Sequence, residues 1–402
     1  SEEAAAHGHL AAVGVAFLLA VATVRELRSR GWFDKRKAPD LMALLDLVAL
    51  GTVADVAQIR GLNRALVAQG LKIMARRQNI GLSALIDASR LSRAPTCSDL
   101  GFALGPRINA GGRVGEATLG VRLLTTEDPA EAREIAAQLS RLNDERRAIE
   151  QEVQAAAEAQ IAGQHNRAVM VLAGHGWHPG VIGIVAGRIK EKTGKPTLVI
   201  ALGADDDGEG DGKGKGKGSG RSVAGVDLGA AIIAAREAGL LVAGGGHAMA
   251  CGLTIEPDRL GALADWLDER LARDVLAAQA SQSLLLDLSL SPRGLTPALV
   301  EALDAAGPFG VGWPGPRLAV GPVRLVKCDL VGADHVRMVA AGADGGSFKA
   351  IAFRAAESAL GQALLHGSRG RLLWLAGRAK IDDWGSRPAA ELHVEDAAFA
   401  DR

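Results

Sequence analysis

Apolar residues recur every three or four positions through roughly the first 160 residues and return at alternate positions near the end, so helices are expected first and strands last. LAAVGVAFLLAVATV (10–24) reads as a helix. Its apolar run is short for a membrane span, so a buried helix is expected. DLMALLDLVALGTVAD (40–55) opens on an Asp cap after Pro39. GLNRALVAQGLKIMARR (61–77) carries Leu62, Leu66, Leu71, Ile73 and Met74 at helical spacing. PAEAREIAAQL (129–139) starts with a first-turn proline. A long charged helix follows over 139–163, with Leu142, Ile149, Val153 and Ile161 in register and Gly163 to end it. It would run for about 37 Å, enough to connect two domains.

The pattern then changes. AVMVLA (168–173) predicts a strand, VIGIVAGRIKEKTG (181–194) a helix and PTLVIAL (196–202) a second strand. A unit of this kind is parallel and right-handed. GADDDGEGDGKGKGKGSG (203–220) is glycine-rich with acids before lysines, and predicts a disordered insertion. Helices at 227–238 and 257–279 flank the strand GLTIE (252–256). From residue 283 short strands dominate, at 284–290, 323–331, 335–341, 348–353, 371–381 and 390–399, after the Gly/Pro loop GPFGVGWPGP (307–316). That spacing suggests a small antiparallel barrel of the OB type.

Composition narrows the class. With no Tyr, seven Phe and six Trp, the cores must be built from Leu, Val, Ile and Ala. Cys97, Cys251 and Cys328 lie far apart, which excludes a disulfide framework or a zinc ribbon and suits a reducing, cytoplasmic setting. The segment before the first helix is SEE, not basic, so no signal peptide is read there. The formal net charge is zero. Yet between Arg60 and Arg113 nine basic residues face two acids, Asp87 and Asp99, which allows an anion-facing surface.

Candidate chemistry sits in glycine-rich stretches. GHGWHPGVIGIVAGRI (174–189) is a strand-to-helix turn with His175, Trp177 and His178, where free amides and the helix dipole suit an anion. The competing reading is an ordinary turn whose histidines bond to backbone. GSGRSVAGVDLG (218–229) offers Ser219, Arg221 and Ser222, either as a phosphate cradle or as a capped, solvated turn. In GGGHAMACG (244–252), Gly245 and Gly246 let a sugar–phosphate backbone approach the main chain, with His247 as donor; the alternative is a tight turn with a packed histidine. GPRINAGGR (105–113) carries Arg107, Asn109 and Arg113 on what reads as a flexible turn able to hold a terminal phosphate, or as a surface loop. Asp55 ends GTVAD as a helix cap or a metal ligand.

LDLVALGTVADV, GPRINAGGR, HPGVIGIVAGRI, SGRSV and GGGHAMACG, in this order, resemble the single-strand-specific 5′ to 3′ DNA exonucleases of the DHH phosphoesterase superfamily. The resemblance implies an α/β protein: the C-terminal part of a DHH domain (1–138), a connecting helix (139–166), a DHH-associated α/β domain (167–280) and an OB-like barrel (283–402). It implies two Mn2+ or Mg2+ ions, single-stranded DNA as partner, a role in DNA repair and recombination, and a single-stranded-DNA-binding protein as associate. It implies Asp55 as catalytic metal ligand. It assigns Arg107, Asn109, Arg113, His178, Ser219, Arg221, Ser222, Gly245, Gly246 and His247 to DNA and its 5′-phosphate. The family's Asp-His-His triplet and its earlier aspartate motifs are absent from this sequence. One carboxylate cannot hold two cations, so the chain is expected to start after the third metal motif and not to hydrolyse DNA alone. Two alternatives stand beside this: a non-catalytic single-stranded-DNA-binding scaffold, and a DHH phosphodiesterase for short oligonucleotides.

Overall fold

A computed structural model describes residues 8–203, 214–281, 283–382 and 388–400. Along the chain run α1 (Ala12–Ser29), α2 (Leu45–Ala54), α3 (Gly61–Met74), α4 (Ile80–Ala88), α5 (Gly105–Val114), α6 (Leu119–Thr125) and α7 (Pro129–Glu158). Then come β1 (Met170–His175), α8 (Pro179–Thr193), β2 (Thr197–Leu202), β3 (Gly216–Arg221), α9 (Leu228–Glu237), β4 (Ala243–His247), β5 (Ala250–Ile255) and α10 (Leu260–Ala280). The C-terminal part holds β6 (Leu288–Leu290), α11 (Pro297–Asp304), β7 (Leu318–Val331), β8 (His335–Gly342), β9 (Ser347–Ala352), β10 (Leu373–Asp382) and β11 (Ala389–Phe399). They pack as two units, residues 1–79, 91–105 and 284–402 in one and 80–90 and 106–283 in the other. This division differs from the consecutive blocks read from sequence.

The first unit joins α1–α3 to the barrel. β7, β8, β9, β11 and β10 close on themselves through the β10–β7 pairing; β9 and β11 run parallel and the other neighbours antiparallel. Leu318, Val320, Val323, Val336, Met338, Leu375 and Leu392 fill its interior. The 307–316 loop fastens the barrel to the helices. Ile59 N–H donates to Val311 O at 2.6 Å, and the Arg64 guanidinium lies 4.9 Å from the Trp313 ring while donating to Ala306 O and Gly307 O. α1 departs from the expected buried helix. Only Gly14 within it is buried, while Val15 and Leu19 are 54% and 68% exposed. Apolar content alone did not bury it, because no described element covers that face. The strand expected over 284–290 is confined to 288–290, paired parallel with β7.

Asp46, in α2, is buried, and burial pushes its carboxyl above the ordinary carboxylate value against opposing backbone amides at Leu47 and Asp46. The folded state thus favours protonation more than the unfolded chain does. Its cost is absent below the unfolded value and grows as pH rises through it. Asp46→Asn, which keeps an acceptor for Leu47 N–H, is expected to stabilise the chain near neutral pH and to change little at pH about 4. Thermal unfolding at the two pH values measures this; an equal gain at both would assign the effect to packing instead.

The second unit is a five-stranded sheet in the order β1-β2-β3-β5-β4 between two helical layers. β1 and β2 pair in parallel, as the strand–helix–strand pattern requires, and the rest is antiparallel. Leu198, Ile200, Cys251, Leu253 and Ile255 face α9 and α10 on one side. Met170, Leu172, Val199 and Ala201 face α7 and α8 on the other. The two helices expected at 129–139 and 139–163 are one, α7, because its apolar stripe continues through Leu139 without a break. At 30 residues it measures about 45 Å. The expected disordered segment 203–220 is corrected at its end. Residues 216–221 form β3, hydrogen-bonded on both edges by β2 and β5; residues 204–213 lie outside the described residues. Alternating Gly, Lys, Ser and Arg carries no hydrophobic strand signal, yet two neighbouring strands supply the backbone pairing.

Candidate nucleic-acid interface

β3 sets the site. Its even-numbered residues Gly216, Gly218 and Gly220 point into the core beneath α9, and its odd-numbered residues Lys217, Ser219 and Arg221 point to the α8 side. α8 covers this second face only as far as β3. Gly183 of α8 leaves room for the Ser219 hydroxyl and the Arg221 guanidinium, each 3.0 Å from where its Cβ would stand. Beyond β3 the face is bare. Register places Gly252 of β5 beside Ser219 and Gly245 of β4 beside Gly252, with Ala250 and His247 in the row of Arg221.

The glycines of GGGHAMACG therefore divide by face. A Cβ at Gly244 would lie 2.9 Å from Ile232 Cγ2, and one at Gly246 would lie 2.3 Å from Ala250 O, so both are demanded by the protein's own packing. At Gly245 nothing lies within 4 Å, and at Gly252 only Gly218 O at 4.0 Å. Neither has a positive φ. Glycine weakens a strand interior and its usual excuses are a bulge or close approach of a ligand. The alternative reading, a tight turn with a packed histidine, does not hold: the stretch forms two strands of a hairpin turning at Ala248 and Met249. His247 is exposed at its tip.

Cations line the rim. Arg221 is half-buried and donates from Nη1 to Ser219 Oγ at 3.1 Å and to Gly220 O at 2.8 Å. Burial first, with Arg113 as a neighbouring like charge and Cys251 opposing, holds its pKa below the ordinary arginine value. Arg113 donates from Nη1 to Gly180 O at 2.8 Å and is otherwise exposed. Arg107 donates to Ser140 Oγ at 3.2 Å, and Asn109 is exposed on the same helix. GPRINAGGR is thus α5, not a flexible turn. Gly111 serves packing, since a Cβ there would meet Glu116 O at 2.9 Å, whereas nothing lies within 4 Å at Gly112.

Two expectations are corrected here. Ser222 is buried, with its hydroxyl donating to Val226 O at 2.7 Å, so it closes the turn before α9 and offers nothing to a ligand. The start of α8 does not present a row of free amides. His178 caps it, accepting from Gly180 N–H at 3.0 Å through Nδ1; Val181 N–H bonds to His178 O, and Pro179 has no N–H. An anion would be met there by guanidiniums and the helix dipole. Trp177 is packed against bare Gly174 and belongs to the core.

Asp55 lies in the other unit, exposed, at the C-terminal cap of α2. It is followed by Val56 at φ 58°, a left-handed conformation that a β-branched residue rarely adopts. Among the described residues no three His, Cys, Asp or Glu side chains gather as a metal set. The residues present therefore do not make up a two-metal site, and Asp55 is the single ligand the resemblance contributes.

Sequence reasoning missed two features. Gly252 is one; only the register with Ser219 reveals it. The other is on the barrel, where Phe353, 52% exposed, meets the rings of His335 and His393 edge-on at 5.3 and 5.0 Å. These three residues are far apart in sequence, so no local signal joins them.

Comparison with known proteins gives a consistent picture. The DHHA1 domain family matches residues 166–273 and the RecJ OB domain family residues 286–396. The chain is 39% identical over 357 residues to the single-stranded-DNA-specific exonuclease RecJ of Escherichia coli, covering 84% of this chain and 59% of that protein. It is 32% identical over 396 residues to RecJ of Bacillus subtilis, covering 98% and 47%. Among solved structures it superposes on RecJ of Thermus thermophilus in complex with Mg2+ with a TM-score of 0.73 at 29% identity, covering 96% of this chain and 55% of that one. The same protein in complex with Mn2+ gives 0.72. The chain spans about half to three-fifths of the length of these relatives. Among the described residues no helix is long and apolar enough to cross a membrane.

Proposed function

The chain belongs to the RecJ family, and we propose that it is the DNA-gripping portion of a single-strand-specific 5′ to 3′ exonuclease of DNA repair and recombination. The 5′-phosphate is held by Arg113, Ser219 and Arg221, and the terminal nucleotide lies across the floor made by Gly245 and Gly252. The floor carries this reading: a paired glycine surface for which the fold has no use lies directly beside a half-buried arginine and a hydroxyl. Guanidiniums suit a terminal phosphate because they bind it through paired, charge-assisted hydrogen bonds. His247, in the row of Arg221, is a further polar side chain there, and Arg107 adds positive charge on α5. On the barrel, Phe353 between two histidines suits stacking of an unpaired base, the usual sequence-tolerant contact of OB domains.

Strand scission in this family draws on two divalent ions that activate water. The described residues do not supply their ligand set, and binding is the function this chain's own side chains account for. Association with a single-stranded-DNA-binding protein belongs to the same proposal, through the family likeness alone.

Arg221→Ala is expected to weaken binding of a 5′-phosphorylated oligothymidylate about tenfold while leaving the 5′-hydroxyl form nearly unchanged, since one charge-assisted contact of that kind is worth about 1.5–3 kcal/mol. Fluorescence anisotropy with a 3′-label measures both. Equal losses for the two oligonucleotides would remove the 5′-end assignment.

A further inference from the structure

Helices α7 and α8 share a buried charge network. On α7, Arg146 donates from Nη2 to Asn143 Oδ1 at 3.0 Å and from Nη1 to Glu150 Oε2 at 3.0 Å. Arg188 of α8 pairs with Glu150 Oε1 and donates from Nη1 to Gln154 Oε1 at 2.9 Å. Glu150 is 1% exposed, and among the described residues of this unit it is the one buried carboxylate. The cations around it are crowded. Arg147, Arg113 and Arg188 all act as like charges on Arg146, and Arg113 acts likewise on Arg221. Five guanidiniums thus extend from the network to the phosphate rim with a single buried counter-charge.

The network is not built for stability alone. Asn143 Nδ2 and Arg146 Nε have no hydrogen-bond partner, although each is buried. A fully apolar cluster of the same volume would serve folding at least as well. The connectivity explains what else it does. Arg188 ties α8 to α7, and the first turn of α8 carries Gly180, whose carbonyl receives the Arg113 guanidinium. We infer that Glu150 is a positioning residue for the anion site: it holds the arginines together before any nucleic acid arrives and fixes the start of α8 so that Arg113 points to the rim beside Arg221. This rests on the reading of that rim as the 5′-phosphate site. Donors arranged in advance need no reorganisation when the anion binds.

The test uses Glu150→Gln in the whole chain, with 5′-phosphorylated and 5′-hydroxyl oligothymidylate and thermal unfolding alongside. Glutamine keeps the volume and one acceptor for Arg146 but removes the charge. The parent's preference for the 5′-phosphoryl form, of which the Arg221 contact alone supplies about tenfold, is expected to fall to within about twofold. Affinity for the 5′-hydroxyl form is expected to hold or rise, since a negative charge near the strand has gone. A role confined to folding would instead lower both affinities by one common factor, and that result overturns the inference. Glu150→Asp, which restores the charge, should recover part of the preference. Should Glu150→Gln not fold, Arg188→Gln tests the same link from its solvent-exposed end and should show the same loss; full preference in that folded variant refutes the assignment. A parent chain with no preference at all would instead defeat the 5′-phosphate reading itself, and this inference with it.

Discussion

Gly252→Val is expected to leave the chain folded and to lower its affinity for single-stranded DNA about 100-fold, a change of roughly 2.7 kcal/mol. The direction follows from the two sides of one position. On the protein's side a Cβ at Gly252 meets nothing closer than Gly218 O at 4.0 Å, and the residue is exposed. A β-branched residue in an extended strand also loses less chain entropy than glycine, so the melting temperature should hold or rise slightly. On the ligand's side the valine would stand between Ser219 and Gly245, where the proposed function puts the terminal nucleotide. Gly252→Ala should give a smaller loss of the same kind. Anisotropy titration together with thermal unfolding decides the matter. Unimpaired binding by a folded Gly252→Val chain would mean that no ligand uses this floor.

Gly220→Val is expected to do the reverse, unfolding the α/β unit with a loss of about 3 kcal/mol or more. Gly220 lies on β3, one residue from Ser219, and points the other way. Its Cβ would stand 2.4 Å from Cys251 Sγ, 2.5 Å from Leu198 Cδ2 and 2.9 Å from Leu228 Cδ2. All three neighbours are buried in one core, where space for even one methyl group is absent. Binding lost by this variant should track the folded fraction measured by denaturant titration. A stable Gly220→Val chain would show that the core beneath β3 is looser than its packing indicates.

The contrast between these glycines shows how far local sequence reaches. Apolar spacing located α2, α3 and α8, and the parallel pairing of β1 with β2 followed from a strand–helix–strand pattern. The spacing misses the bounds of α8 by a residue or two: expected over 181–194, the helix opens at Pro179 and is closed by Gly194 in the left-handed conformation. The same reasoning failed at β3 and β4, whose residues carry no hydrophobic alternation. It failed at α5 because glycine was taken as a sign of a turn, whereas Gly111 makes room for the Glu116 carbonyl of the segment that follows the helix. Ser222 looked equal to Ser219 in the sequence, yet the period of two along a strand and the turn after it send one hydroxyl to the bare face and the other into the interior.

What the sequence determined by itself was chemical content: clustered arginines, hydroxyls and glycines in an order shared with the RecJ exonucleases, and helix and strand positions wherever apolar residues kept a period. What only the tertiary structure decided was direction. Strand register places Gly252 and Gly245 beside Ser219, and burial sets Glu150 among arginines from separate helices. These relations depend on contacts between residues distant in the chain, and local propensity carries no record of which face a neighbouring strand or helix will cover.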